Sequence, residues 1–540
     1  MKAKQSITRL AHQWSHRLLT QLDRDPRSPS YGCGDRNWWH YKIRDFPSII
    51  LQQVGYAAWC LADVKDDPLE RSGLRAVAAG SGLFWSRHVH RKKSFDEYYP
   101  WEQGYPPAAF SSLAVMRLVT EGALPVESVR PGIAMAVRQL ASRFEAQAAN
   151  QQIAGMAALV GWRRLTPDLC AGRAIDEIVD RSMALQTDEG WFWEYGGPDI
   201  GYLSVTIDCL WDAYDATGDE RFIVAAEKAM GYIDEITYPW PASIGMHNAR
   251  NTDYIVPYGL CRFIGSEPSP ARDRAMRLVE RLFASCLEPA HFFAAVDDRY
   301  VAHYIGLSVI RAARHLGSVD VGDDGRMPGH APSRPVEMIF KESGHVRRPN
   351  GLLSLKKGGI LTLRTQAGAY CSDYGWSVRL GKRQYVTHWW SDAWQSRATD
   401  DGWEVSGDWV PCAYVQSSPF GHMALRLAAL LFGRRLIGRL KRVLIFRPHR
   451  SALGFRRRIR WQDQQVCLED EISGLPDGTA LQRAPRASCR HVASADSGHA
   501  EDLCLASFAF SVAEERSTSE GRIQIKTTIT WTDTASGERQ

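Results

Sequence analysis

The apolar residues of this chain change period once, and that change limits the architectures open to it. From about residue 48 to 316 they recur at three- and four-residue spacing, the period of an amphipathic helix. Beyond about residue 350 they alternate one in two, the period of a half-buried strand. FPSIILQQVGYAAWCLADV, AAFSSLAVMRLVTEG, NQQIAGMAALVGW, GYLSVTIDCLWDAYDATG and VAHYIGLSVIRAARHLG are among roughly eleven helical segments, with Gly, Pro or Asp at nearly every boundary. No strict repeat is visible, which disfavours a regular solenoid. Helical hairpins in this number can instead close into an α/α toroid, with half of the loops around one mouth.

Residues 317–350 are rich in Gly, Pro and charge and read as a linker. Past them, GGILTLRT, GWSVRLG, QVCLEDEI, SFAFSV and RIQIKTTITW read as antiparallel strands, with Ile523, Ile525, Ile529 and Trp531 on one face. The expected fold is α+β and multidomain. An N-terminal (α/α) toroid spans 1–325, a linker 326–350, and a C-terminal antiparallel β-sandwich 351–540. One segment inside the sandwich, 423–442, breaks the strand pattern. HMALRLAALLFGRRLIGRLKRVLIF carries six basic residues and no acid, and reads as a basic amphipathic helix suited to an anionic membrane surface. The bland alternative is a helix packed on the domain with a solvated basic face.

A length of 540 residues exceeds one ordinary core. The net charge of +5 and the lack of a strongly basic domain give no reason to expect nucleic acid as a partner. Eleven scattered Cys without a Cys-x-x-Cys pair read as reduced thiols. The first 25 residues lack an apolar leader core, and no run of about 18 apolar residues exists. The expected location is therefore cytoplasmic, peripheral at the inner membrane face through 423–442.

Nineteen Trp is a high number, and clusters such as NWWHY, YYPW and WFWEY sit beside Gly and Pro. Aromatic faces in loops suit stacking on sugar rings, although core packing is their commoner use. Two motifs place polar, aromatic or glycine residues just ahead of a helix: ANQQIAGMAALVGW, with Asn150 and Gln151, and EGWFWEYGGPDIGYLSVT, with Glu194, Tyr195 and Tyr202. A third polar cluster, SIGMHNARNTDYIVPYG, carries His247, Arg250, Asn251 and Tyr254. His303 and Tyr304 open the last helix of the toroid. Asp96 and Glu102 form a candidate carboxylate pair for hydrolysis. Trp101 and His388 complete the candidates for a glycan groove.

These features together resemble the heparinase II/III-like polysaccharide lyases and their alginate and oligoalginate lyase relatives. YGCGDRNWWHYKIRDFP, FDEYYPWEQGYPPAAF, WEYGGPDIGY and RNTDYIVPYG are similar to that family's N-terminal blocks, and GAYCSDYGWSVRLGKR to its sandwich signature. The resemblance implies β-elimination on a uronate-containing glycan. The C5 proton leaves beside the carboxylate, and the glycosidic oxygen leaves from C4. Asn150 takes the family's Asn position and Gln151 stands where a His often follows, which assigns both to the substrate carboxylate. Tyr202 takes the position of the family's general acid/base, and His247 is a substitute base. Glu194, Tyr195, Arg250, Asn251, Tyr254, Trp101, Tyr370 and His388 are the substrate-binding set. The alternative reading of Asn150 is a helix N-cap.

The sandwich signature departs from the family. Its His-x-Asp block has Cys371 at the His position, ahead of Asp373, with Tyr370 beside it. A metal site in that domain depends on His residues that have no counterpart here, so neither metal nor cofactor is expected. Two further classes stay open: an epimerase or glycoside hydrolase on the same scaffold, and a non-catalytic glycan-binding or assembly protein at the membrane face.

Overall fold

The computed structural model describes residues 1–170, 172–239, 249–250, 252, 254–265, 267–289, 291–319, 338–340, 343–356, 359–365, 370–387, 394–399, 402–412, 418–433, 435–436, 451–484, 510–519 and 521–531. The helices of the first half are α1 (Lys2–Gln21), α2 (Arg36–Trp39), α3 (Val54–Ala62), α4 (Pro68–Lys92), α5 (Tyr105–Thr120), α6 (Val126–Ala141), α7 (Ala149–Leu165), α8 (Gly172–Met183), α9 (Ile200–Thr217), α10 (Glu220–Thr237), α11 (Tyr258–Arg262), α12 (Pro270–Phe283), α13 (Asp298–Val301) and α14 (Tyr304–Ser318).

Six of them form an inner ring. α3, with the 3-10 turn Ile49–Gln53 ahead of it, packs on α5, α5 on α7, α7 on α9, α9 on α11, α11 on α14, and α14 back on α3. Each inner helix has an outer partner: α4, α6, α8, α10, α12 and, for α14, the N-terminal α1. The ring therefore closes through the two ends of the domain. The inner helices are covered all round, so they carry small and apolar residues on every face. Every residue of α7 from Ala149 to Trp162 is buried, as is every residue of α9 from Ile200 to Ala213. Glycines allow the close approaches: a Cβ on Gly155 would lie 2.4 Å from the Tyr105 phenol oxygen. The outer helices expose one side and bury the other, as Ile175, Ile178 and Val179 do on α8.

At the C-terminal ends of the inner helices the ring is tied by charge. Arg311 binds Asp212 through both terminal nitrogens (2.5 and 3.0 Å), and Arg117 and Arg262 reach Asp215 at 3.1 and 2.9 Å. Tyr56 donates to Glu121 at 2.6 Å, and Arg314 binds the same carboxylate at 2.6 Å. A cavity of about 30 Å³ adjoins this network, lined by Tyr56, Arg117, Asp208, Asp212, Tyr304 and Arg311 among others.

The second half is strands: β1 (Met338–Phe340), β2 (His345–Arg348), β3 (Gly351–Lys356), β4 (Ile360–Thr365), β5 (Tyr370–Asp373), β6 (Trp376–Leu380), β7 (Arg383–Val386), β8 (Gln395–Ala398), β9 (Gly402–Asp408), β10 (Val410–Cys412), β11 (Gly454–Gln462), β12 (Gln465–Ser473), β13 (Leu481–Arg483), β14 (Phe510–Ser519) and β15 (Arg522–Trp531). They make antiparallel sheets in the orders β1-β2-β3-β4-β5, β10-β7-β6-β13 and β14-β15-β12-β11-β9-β8. Ile525, Ile529 and Trp531 are buried with Val466, Leu468, Ile459 and Trp461, on the face that their alternation marks. β1 and β2 fall inside 326–350, the span expected to be linker. The halves meet where Ser343 donates to Glu189 at 3.1 Å, where the Tyr232 and His345 rings stand 6.2 Å apart, and where Leu352 of β3 joins the toroid core.

The helix expected at 423–442 starts earlier and is less basic than its sequence implied. α15 runs Pro419–Phe432, capped by the Ser418 hydroxyl and ended by Gly433. Lys441 and Arg434, Arg439 and Arg442 lie outside the described residues. No described helix is long and apolar enough to cross a membrane.

Candidate functional site

All six inner helices begin at one mouth, so their first turns and the loops ahead of them meet. The N-cap of α7 is Ala148, which has no side chain for capping. Glu194, from the loop ahead of α9, supplies the missing acceptor: its Oε1 takes the Asn150 amide at 2.5 Å. Asn150 is therefore inside the helix and not its cap. Its Oδ1 accepts the Gln151 amide at 2.7 Å, and only 2% of the residue is exposed.

Burial pushes the Glu194 carboxyl well above the ordinary carboxylate range. The Asn150 amide opposes that shift, while the charges of Asp199 and Glu145 add to it. Tyr195, left-handed at φ 47°, hangs beside it and accepts from Gln151 Nε2 at 3.0 Å. Burial raises this phenol to about 12, against the pull of Arg250, whose guanidinium lies 4.6 Å over its ring.

α9 is capped by Asp199, whose Oδ1 accepts the Tyr202 amide at 3.0 Å. The same carboxylate takes the Thr252 hydroxyl, and its other oxygen takes the Arg250 amide at 2.9 Å. Asp199 thus clasps the 249–252 turn onto the start of α9 and fixes Arg250. The Arg250 side chain in turn hydrogen-bonds the Tyr202 phenol. Tyr202, 8% exposed, packs at 6.3 Å from Tyr254, and the Tyr254 and Tyr304 hydroxyls share a 2.6 Å hydrogen bond. His303 stands 4.3 Å from the Tyr304 ring, and burial drives it well below neutrality, helped by Arg299.

Nine residues singled out from sequence therefore converge: Asn150, Gln151, Glu194, Tyr195, Tyr202, Arg250, Tyr254, His303 and Tyr304. Trp101, 41% exposed and left-handed at φ 60°, and Tyr98, 69% exposed, project from the loop ahead of α5. His247, Asn251 and His388 lie outside the described residues, as does the side chain of Tyr370. Asp199 was missed, although Pro-Asp just ahead of a helix is a capping signal.

Two other expected groups have different employment. Glu102 Oε2 accepts the Glu97 and Tyr98 amides at 2.7 and 2.8 Å, and Asp96 Oδ1 accepts the Glu102 amide at 3.0 Å. These carboxylates brace their own loop. Asp373 binds the fully buried Arg457 at 2.6 Å, and Arg457 also holds Asp470 at 2.6 Å. Cys371 packs against the sandwich core, and burial beside Asp373 raises its thiol to about 11.

Five buried polar atoms at the mouth have no hydrogen-bond partner among the described residues: Gln151 Oε1, Glu194 Oε2, Arg250 Nε and Nη1, and His303 Nδ1. Each costs roughly 1–3 kcal/mol if left unmet, so water, ligand or chain outside the described residues supplies the partner.

No family model matches the chain, and no curated protein matches it. The heparinase II/III-like resemblance thus rests on motifs alone. Among solved structures, the chain is similar to the chondroitin AC lyase of Streptomyces coelicolor A3 in complex with chondroitin sulphate. The identity is 11%, with 98% of this chain and 77% of that one covered and a TM-score of 0.49. A point mutant of the same lyase gives 10% identity, 97% and 76% coverage, and a TM-score of 0.44. A family 76 glycoside hydrolase from a bovine Bacteroides thetaiotaomicron strain gives 8% identity, 58% and 76% coverage, and a TM-score of 0.31.

Proposed function

We propose that this protein is a polysaccharide lyase that performs β-elimination on a uronic-acid-containing glycan at the mouth of the helical ring. The observation that carries this reading is the cluster of buried polar atoms, without partners among the described residues, around the Arg250–Tyr202 contact. A uronate brings what those atoms lack: a carboxylate for the open Nε and Nη1 of Arg250, and hydroxyls for Gln151 and His303.

In this reading Arg250 binds the C6 carboxylate. Arg250 stabilises the enolate-like charge that develops as C5 loses its proton, beside the Glu194 carboxyl that burial holds well above the ordinary range. Tyr202, hydrogen-bonded to that guanidinium, abstracts the C5 proton. The C5–H electron pair forms the C4–C5 double bond. The C4–O bond breaks, and the leaving oxygen takes a proton from the Tyr202 phenol. Asn150, its carbonyl already committed to Gln151, offers its NH₂ group. Asn150 and Tyr202 are 2% and 8% exposed, so the site meets solvent chiefly through the loops around them. His247 and Asn251, which flank Arg250 in sequence, belong to the proposed site on sequence grounds. The hydrolase alternative loses support because Asp96 and Glu102 are consumed by their own loop.

The test is incubation of the purified protein with a panel of uronate polysaccharides, followed by ultraviolet absorbance of the unsaturated product. Product formation supports elimination. Solvent deuterium entering C5 without chain cleavage would assign an epimerase instead, and silence over the panel would remove the enzymatic reading.

A further inference from the structure

α15 is a helix of the strand-rich half that turns its apolar side outward. Phe420 is 83% exposed, Met423 66%, Leu427 59%, Leu430 56% and Leu431 67%. Their spacing of three and four residues puts them on one face. Ala429 is the buried residue of this helix. A different flank ties it to the toroid: Arg426 binds Asp45 through both terminal nitrogens, at 2.7 and 3.0 Å. The end of the helix reaches the other mouth loop, where a Cβ on Gly433 would lie 3.5 Å from Gln103 Nε2. Tyr41 and Ile43, just ahead of Asp45, are 56% and 74% exposed.

From Pro419 to Arg450 the sequence carries Arg426, Arg434, Arg435, Arg439, Lys441, Arg442, Arg447 and Arg450, and no Asp or Glu. An apolar face on a segment whose sequence carries eight basic residues and no acid has one occupant that satisfies both. We infer that α15 is a docking element for an anionic lipid bilayer, lying in the interface with Phe420, Met423, Leu427 and Leu431 among the acyl chains. Fourteen residues of helix span about 21 Å, enough to lie in an interface and too short to cross a bilayer. A second copy of the chain would match the apolar face but would set one cationic run against another. Docking through α15 brings the loops of the ring mouth to the membrane. The inference stands independently of the chemistry at that mouth.

The experiment is flotation of the full-length protein with vesicles of phosphatidylcholine alone and of phosphatidylcholine mixed with phosphatidylglycerol. The wild type is expected to float with the anionic vesicles, at least about tenfold more than with the neutral ones, and to be released by high salt. L427E/L431E should lose at least about tenfold of that binding with an unchanged melting curve, since both side chains are exposed already. V224E, on an exposed position of α10, should float as the wild type does. Failure of the wild type to float, or equal flotation of L427E/L431E, would overturn the inference. A concentration-dependent dimer in light scattering that L427E/L431E dissolves would also overturn it, assigning the face to self-association.

Discussion

The Glu194 carboxylate holds the Asn150 amide at 2.5 Å, so the hairpin that carries Tyr202 also supplies the cap that α7 lacks. One buried side chain thereby couples two neighbouring hairpins of the ring at its mouth. Removing the carboxylate in Glu194→Ala leaves the first turn of α7 uncapped and should cost about 1 kcal/mol or more. Glu194→Gln keeps an acceptor and should stay within roughly 0.5 kcal/mol of the wild type. Urea unfolding of both variants checks this.

Glu102 gives a pH signature. Burial, then the nearby Glu97 charge, raises it to about 8, while the Glu97 and Tyr98 amides pull it down. Its folded value lies above its unfolded one, so the folded state holds the extra proton. The contribution is fully present below the ordinary glutamate range near 4.5 and is lost as the pH rises through about 8. Glu102→Gln, which retains the acceptor, should flatten the decline in melting temperature between those limits.

Arg457 is sealed inside the sandwich with Asp470 and Asp373 as its counter-charges. Truncation in Arg457→Met strands the buried Asp470 carboxylate, while Asp373 keeps Arg483, and should destabilise by about 3–5 kcal/mol. The same geometry makes Cys371→Ala compatible with full activity, because the position faces the sandwich core. Calorimetry and lyase assay separate the two effects: the first variant should shift unfolding, and the second should leave turnover unchanged.

Gly155 sets the spacing between α5 and α7. Gly155→Ala places a methyl 2.4 Å from the Tyr105 phenol oxygen and should cost about 1–3 kcal/mol, measurable as a lower urea midpoint.

The ring was legible in the sequence because its outer helices keep a clean apolar stripe and its inner helices are bounded by Asp, Gly and Pro. α1 also carried the signal, since Ala3, Ile7, Leu10, Trp14 and Leu18 fall at helical spacing. Its place as the outer partner of α14 is set by packing against the far end of the domain, which no local pattern carries. Ser418-Pro419 and Gly433 similarly mark the true ends of α15. Within the site, Asn150, Gln151, Glu194, Tyr195 and Tyr202 were found because local motifs put them ahead of helices. What joins them is not local. The Asp199 clasp on Arg250 and Thr252 spans about fifty residues of chain, and the Arg250 stack on Tyr195 depends on it. Asp373 shows the same limit: its local motif could not reveal that Arg457, 84 residues away, binds its carboxylate.

The most direct measurement is the rate of unsaturated-product formation from uronate polysaccharides by the wild type, Tyr202→Phe and Arg250→Met, each shown to be folded. The wild type should generate product, and each substitution should lower kcat/KM by at least about a hundredfold, since one loses the proton carrier and the other the carboxylate's counter-charge. Wild-type turnover that persists undiminished in Tyr202→Phe would contradict the assignment of that phenol as the group that moves the proton.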